Sequence, residues 1–132
     1  DLFDFLKLGD IGDVAVHASS PDVTMANIYA AADRIYKSRS IPVMLGGDHS
    51  VTPEFVKALA DNSEGRIGLI HFDAHLDNAR VFGADKYPRC GPLHRIAQID
   101  RCANRASCIS ASGDRATPLP SSRTPVKWAP AS

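Results

Sequence analysis

Two short apolar runs, each ending in ionisable residues, constrain the fold more than any other feature of the sequence. The first run is "IPVMLGG" at residues 41–47, and the second is "RIGLIHFD" at residues 66–73. The stretch between them has the spacing of a helix, with Thr52 as its expected cap and Pro53 at its first position. A strand, a helix and a strand in this order form a right-handed unit of a parallel sheet. The sequence therefore predicts an α/β fold.

A second amphipathic helix is predicted upstream of the first run. Ser20 is its expected cap, Pro21 its first residue and Asp22 an acidic group near the positive end of its dipole, and we expect it to end near Ser38. Apolar side chains recur there at three- and four-residue steps and mark one face for burial: Met25, Ile28, Tyr29, Ala32, Ile35 and Tyr36. The pattern indicates core packing and not a cofactor-binding stripe.

The periodicity weakens after Asp77. Beyond residue 113 the chain is rich in Pro, Ser, Arg and Ala, a composition typical of disordered segments. We therefore divide the chain into a partial α/β domain at 1–113 and a disordered tail at 114–132. Three segments precede the tail: a loop "NARVFGADKYPRCG", a short helix "PLHRIAQID" and a poor third strand "RASCISASG".

Composition excludes several broad classes of function. The 132 residues, 44% of them apolar, suit one domain with a real core. Fifteen basic and fifteen acidic side chains cancel, so we expect neither a nucleic acid nor an anionic membrane as partner. Cys90, Cys102 and Cys108 are odd in number and form no C-x-x-C pair, which favours free thiols in the cytoplasm.

The ionisable residues gather at the carboxyl ends of the two predicted strands. Asp48 and His49 follow the first strand, and Asp73, His75 and Asp77 follow the second. Alternate residues of an extended segment point the same way, so the last three side chains can converge on one point. Sites of parallel sheets lie at this edge. Mixed carboxylate and imidazole donors suit manganese, zinc or a similar divalent cation.

Other interpretations of these residues stay open at this point. The "GGDHS" stretch could be a tight turn in which Asp48 caps the next helix, or a phosphate-binding loop. His71 falls inside the apolar run and is interpreted as a structural core residue. His17 and His94 are expected to be surface or structural residues.

The pair of motifs "GGDHS" and "DAHLD" resembles the signatures of the ureohydrolase family, the arginases and agmatinases. The resemblance extends over roughly Asp10 to Leu93 and is closer to the agmatinase branch. It implies a three-layer α/β sandwich around a parallel sheet, present here as an incomplete domain. It also implies two Mn²⁺ ions, one held by His49, Asp73 and Asp77 and the other by Asp73 and His75, with Asp73 bridging them.

The resemblance further implies a binuclear manganese hydrolase of a small guanidino compound, most simply agmatine, which would yield putrescine and urea. Arginine and guanidino acids stay open as substrates. Asp73 and His75 would act at the catalytic centre, while Asp48 would orient His49 or hold its loop. The family resemblance also implies a homo-oligomer for the complete protein.

Two departures from the family pattern affect these expectations. Family members carry a further aspartate pair in a segment resembling S-x-D-x-D-x-x-D-P, and nothing after Asp77 matches it. A family His-Gly segment is replaced by "RCGPLHRI", which leaves its role to His94 or to no residue. We therefore expect an incomplete or frame-shifted reading of a longer ureohydrolase.

Three functional interpretations follow. The first is the hydrolase just described, either active or inactive in this truncated form. The second is a non-catalytic fragment or interaction module that retains the fold and a partial metal site. The related deacetylase branch is a more distant third.

Overall fold

The computed structural model describes residues 4–80 and 83–102 in full, and the backbone of residues 106–110. A short 3-10 turn, His49–Val51, leads directly into the second helix. The predicted tail at 114–132 lies outside the described residues, so the division at residue 113 stays a prediction. The helices and strands of the described residues are α1 (Pro21–Lys37), α2 (Thr52–Asp61), β1 (Leu69–Asp73), α3 (Pro92–Ile96) and β2 (Ala106–Ser110).

Helices α1 and α2 pack against each other and form one layer. α1 follows Ser20, begins with a proline and ends before Ser38, as predicted. The rings of Tyr36 and Phe55 meet edge to face with their centroids 6.4 Å apart, which links the two helices. Buried side chains from α1 and the turn form a first core cluster: Met25, Ile28 and Val51. This cluster confirms that the apolar stripe of α1 is core packing.

The start of α2 differs by one position from the prediction. Thr52 is the first helical residue instead of the cap, because the preceding three residues already form a 3-10 turn. The cap of that turn is Asp48, whose side chain accepts a hydrogen bond from the backbone N–H of Ser50 at 2.9 Å. The turn interpretation of "GGDHS" therefore agrees with the structure.

The two strands form a parallel pair. Leu69 lies opposite Ala106 and Asp73 opposite Ser110, and α3 lies between the strands in the sequence. The poor third strand of the sequence is therefore a real sheet partner, and the short helix before it is confirmed as α3. A second core cluster, formed by Val56, Ile96 and Cys102, packs beneath Leu69. Cys90 and Cys102 are free thiols, as expected, while the side chain of Cys108 lies outside the described residues.

The first predicted strand is the main correction. Among the described residues, 41–47 do not belong to a strand, because no described segment forms a hydrogen-bonded ladder with them. Their side chains still alternate: Pro42 and Met44 are half-buried, whereas Leu45 is 94% exposed. The apolar pattern set the alternation correctly, but strand pairing depends on a neighbour that the local sequence does not specify.

The same alternation continues in β1 and leaves one face of the sheet without a covering layer among the described residues. Leu69 and His71 point towards the helices, while Ile70 and Phe72 point away and are exposed. The structure thus describes one helical layer and one sheet layer of the three predicted layers. Within the described residues, no helix is long and apolar enough to cross a membrane.

Candidate metal centre

The 3-10 turn sets the position of His49. Asp48 accepts hydrogen bonds from both the hydroxyl and the backbone N–H of Ser50, which closes the turn around the next residue. The Ser50 hydroxyl lowers the pKa of Asp48, so this capping carboxylate is ionised at neutral pH. Asp48 therefore holds the loop, which is one of the two roles considered for it.

Two aspartates from the end of β1 approach the imidazole of His49. Its Nδ1 atom lies 2.5 Å from Asp77 Oδ2 and 3.9 Å from Asp73 Oδ2. The backbone N–H of His75 donates to Asp73 Oδ1 at 2.9 Å. This hydrogen bond is the main cause that lowers the pKa of Asp73, with smaller contributions from the neighbouring histidines. The carboxylate is therefore anionic at neutral pH and available to a cation.

Four side chains form the most compact group of candidate metal donors among the described residues. One donor atom from each of His49, His71, Asp73 and Asp77 lies within 4.8 Å of the others. Two imidazole nitrogens and two carboxylate oxygens are a donor set that borderline divalent cations accept. All four side chains are buried or half-buried, so the group lies in a partly desolvated position.

His71 is the residue whose place differs most from its sequence interpretation. It is buried, with 8% of its surface exposed, as expected of a core residue. Its ring, however, stacks on that of His49, with centroids 5.4 Å apart, and its Nε2 lies 3.5 Å from Asp73 Oδ2. The sequence signal that could have revealed this contact is the two-residue period of β1, because it places positions 71 and 73 on one strand face.

His75 occupies a different position from the other sequence-predicted residues. Its Nδ1 lies 3.5 Å from Asp73 Oδ1, but 76% of its side chain is exposed and it stands outside the compact group. His94 also stands outside the compact group. It contacts Gln98 of the adjacent turn and lines a cleft of about 570 Å³ beside α1 and α2. His17 is exposed, as expected.

A tight backbone contact fixes the segment that carries Asp77. Asp77 has a φ of 41°, and its carbonyl accepts a hydrogen bond from the N–H of Leu93 at 3.0 Å. The N–H of Ala79 donates to the carbonyl of Cys90 at 2.9 Å. A Cβ added to Gly91 would lie 2.6 Å from the carbonyl oxygen of Ala79, so this close approach requires glycine.

Comparison with known proteins gives consistent relatives. The chain is 39% identical over 82 residues to a guanidinobutyrase of Pseudomonas aeruginosa, covering 61% of this chain and 25% of that protein. It is 34% identical over 93 residues to a mitochondrial agmatinase of Gallus gallus, covering 70% and 27%. A crystal structure from Clostridium difficile, provisionally assigned as an agmatinase, superposes with a TM-score of 0.67 at 26% identity, covering 75% of this chain and 37% of that one.

The chain thus spans about a quarter of the length of these two curated relatives. A family model matches a larger share of this chain than either relative does. The model of the arginase family matches residues 1–117 of the 132, a range that contains both signature motifs and the whole described group of donors. The shared fold is therefore arginase-like, and the chain belongs to the arginase family.

Proposed function

We propose that this chain carries part of the active site of a manganese-dependent hydrolase that acts on a guanidino compound, with agmatine as the first candidate. The single observation that carries the proposal is the convergence of His49, Asp73 and Asp77, within a group whose donor atoms lie within 4.8 Å of one another. Membership of the arginase family and similarity to a guanidinobutyrase and an agmatinase support the substrate class.

The donor atoms fit a divalent cation. Two carboxylates and one or more imidazoles supply the mixed oxygen and nitrogen donors that Mn²⁺ accepts. His49, Asp73, His75 and Asp77 would hold the metal, and Asp73 is the residue that lies near both histidines. Bound there, divalent cations would supply Lewis acidity and lower the pKa of a water molecule.

The protein groups have roles of their own in this proposal. The backbone N–H of His75 keeps Asp73 ionised, so the site presents negative charge to cations. Asp48 closes the turn that presents His49, and Gly91 allows the close packing that places Asp77.

Selectivity for agmatine would depend on the absence of a group that recognises an α-carboxylate. Agmatine and arginine share the guanidinium group and differ in this carboxylate. The chain is similar both to a guanidinobutyrase and to an agmatinase, so the relatives alone do not choose between these substrates. Agmatine is the first candidate because the motifs "GGDHS" and "DAHLD" with their flanking residues resemble the agmatinase branch.

The proposal is tested by incubating the full chain with excess Mn²⁺ and with agmatine, arginine or 4-guanidinobutyrate in turn. Urea and the matching amine are then quantified together, since hydrolysis of agmatine must give urea and putrescine in equal amounts. We expect the fastest release from agmatine, and no release by the Asp73→Asn variant. Equal urea release by that variant, or bound Mn²⁺ without urea from any compound, would contradict catalysis by this chain.

A specific observation also favours the non-catalytic alternative. Ile70 and Phe72 of β1 are exposed, on a face of the sheet that no other described layer covers. A fragment that retains the fold and part of the metal site would bind metal without producing urea. The two readouts of the same experiment, bound metal and released urea, separate the two functions.

A further inference from the structure

His71 is a buried imidazole within the proposed site that the family signature does not include. The alternation of burial along β1 places His71 on the packed face, between Leu69 and Asp73 in the same row of side chains. Its Nε2 atom is fully shielded from solvent. Burial of a polar nitrogen is costly unless it faces a polar group, so an imidazole at this position needs a reason beyond packing.

The carboxylate of Asp73 supplies that reason. Its two oxygens face different groups: Oδ1 accepts the backbone N–H of His75 at 2.9 Å, while Oδ2 lies 3.5 Å from His71 Nε2. His49 Nδ1 lies 3.9 Å from the same Oδ2. One oxygen is thus held by the backbone, and the other lies between two imidazoles.

The ring of His71 is itself held in place. It stacks on His49 with an interplanar angle of 25° and a centroid distance of 5.4 Å, so the two rings limit each other's rotation. At 3.5 Å, the contact with Asp73 lies at the outer limit of hydrogen-bond distance.

We propose that His71 is a positioning residue: its Nε2 orients the Oδ2 atom of Asp73. This inference rests on the proposed metal site. Carboxylates that ligate metals are commonly fixed by hydrogen bonds from groups behind them, and loss of such a group typically lowers metal affinity about 10- to 100-fold. In this proposal His71 is not itself a metal ligand, although its Nε2 lies near the other donor atoms. It acts through Asp73, which is one.

The test measures Co²⁺ binding to the full chain by its visible absorption, in the wild type and in two variants of His71. His71→Phe keeps a flat ring and removes the N–H donor, whereas His71→Gln keeps an N–H donor near the position of Nε2. His17→Phe is the matched control, because His17 is exposed and outside the site. Circular dichroism and thermal melting of each metal-free variant check that the fold is retained.

We expect His71→Phe to weaken Co²⁺ binding about 10- to 100-fold, and His71→Gln to restore most of the affinity with the wild-type spectrum. His17→Phe should bind as the wild type does. Wild-type affinity in a folded His71→Phe variant would overturn the inference, as would an altered Co²⁺ spectrum in His71→Gln, which would make His71 a direct ligand. Either result leaves the proposed metal site standing, whereas absence of Co²⁺ binding by the wild type would remove the site itself.

Discussion

His49 and Asp77, 28 positions apart in the sequence, are joined by a contact of 2.5 Å between Nδ1 and Oδ2. The contact connects the turn before α2 with the loop after β1. It therefore brings the two signature motifs together although residues 41–47 are not paired as a strand. His49 and Asp77 are therefore positioned by the turn and the loop that carry them and by their contact with each other.

Gly91 should be essential for the position of the Asp77 loop. Gly91→Ala would place a Cβ 2.6 Å from the Ala79 carbonyl oxygen, and this backbone atom cannot move without the loop. We expect a loss of about 1–3 kcal/mol in the free energy of unfolding, as for other overpacked positions. Urea denaturation measures it. Gly68→Ala is the control, since nothing lies within 4 Å of its added Cβ; an equal loss in both variants would contradict the role of the contact.

Arg95 of α3 should stabilise the turn that contains His49. Its guanidinium donates to the Ser50 carbonyl at 3.0 Å and lies 2.5 Å from Glu54, and both ion-pair side chains are mostly buried. Loss of these charged hydrogen bonds in Arg95→Ala should cost about 1.5–3 kcal/mol.

The matched control for Arg95 is the exposed pair of Lys37 and Asp33 on α1. Lys37→Ala should cost no more than about 0.5 kcal/mol, because exposed pairs one helical turn apart contribute little. Chemical denaturation of both variants gives the comparison. Similar losses in the two would show that burial of the Arg95 pair has no effect on stability.

The hydrogen bond between Tyr29 and Asp61 predicts a loss of stability at high pH. The Tyr29 hydroxyl donates to Asp61 Oδ2 at 2.6 Å, and this bond raises the pKa of Tyr29 from 10.0 to about 12. Because the folded state favours the protonated phenol, its stabilising effect is complete below pH 10 and is lost as the pH rises through about 12. Absorbance at alkaline pH follows the ionisation of all three tyrosines, and the difference from Tyr29→Phe isolates that of Tyr29. In Asp61→Asn the Tyr29 transition should move towards 10; an unchanged transition would contradict the assignment.

The exposed face of β1 should be the main source of self-association. Phe72 is 78% exposed, whereas Leu69 on the opposite face packs on the second core cluster. Phe72→Lys should therefore reduce association, because a charged side chain on an exposed strand opposes pairing with another chain. It should change the free energy of unfolding by less than about 0.5 kcal/mol. Leu69→Lys should unfold the chain. Analytical ultracentrifugation and thermal melting distinguish the two; persistent association of Phe72→Lys would place the contact surface elsewhere.

Local patterns in the sequence were sufficient for the helices and for only part of the site. The three- and four-residue spacing from Met25 to Tyr36 predicted α1. Alternation after the second strand predicted that Asp73, His75 and Asp77 would converge, but the side chain of His75 is exposed and lies outside the compact group. The grouping of His49 with the two aspartates was implied by the family resemblance.

The missed features depend on long-range contacts. Residues 41–47 have the alternation of a strand, but pairing requires a neighbour that no local pattern specifies. The stacking of His71 on His49 likewise joins two distant segments, so an apolar setting alone indicated a core residue. The exposed side chain of His75 depends on the path of the chain after β1, which periodicity does not determine.

Equilibrium binding of Mn²⁺ to the full chain, followed by the loss of the free-ion EPR signal, measures directly whether the metal centre exists. We expect saturable binding that falls at least about 10-fold in Asp77→Asn. The exposed Asp100→Asn should bind as the wild type does. No binding by the wild type at micromolar Mn²⁺, or equal affinity in Asp77→Asn and the wild type, would contradict a metal centre built on His49, Asp73 and Asp77.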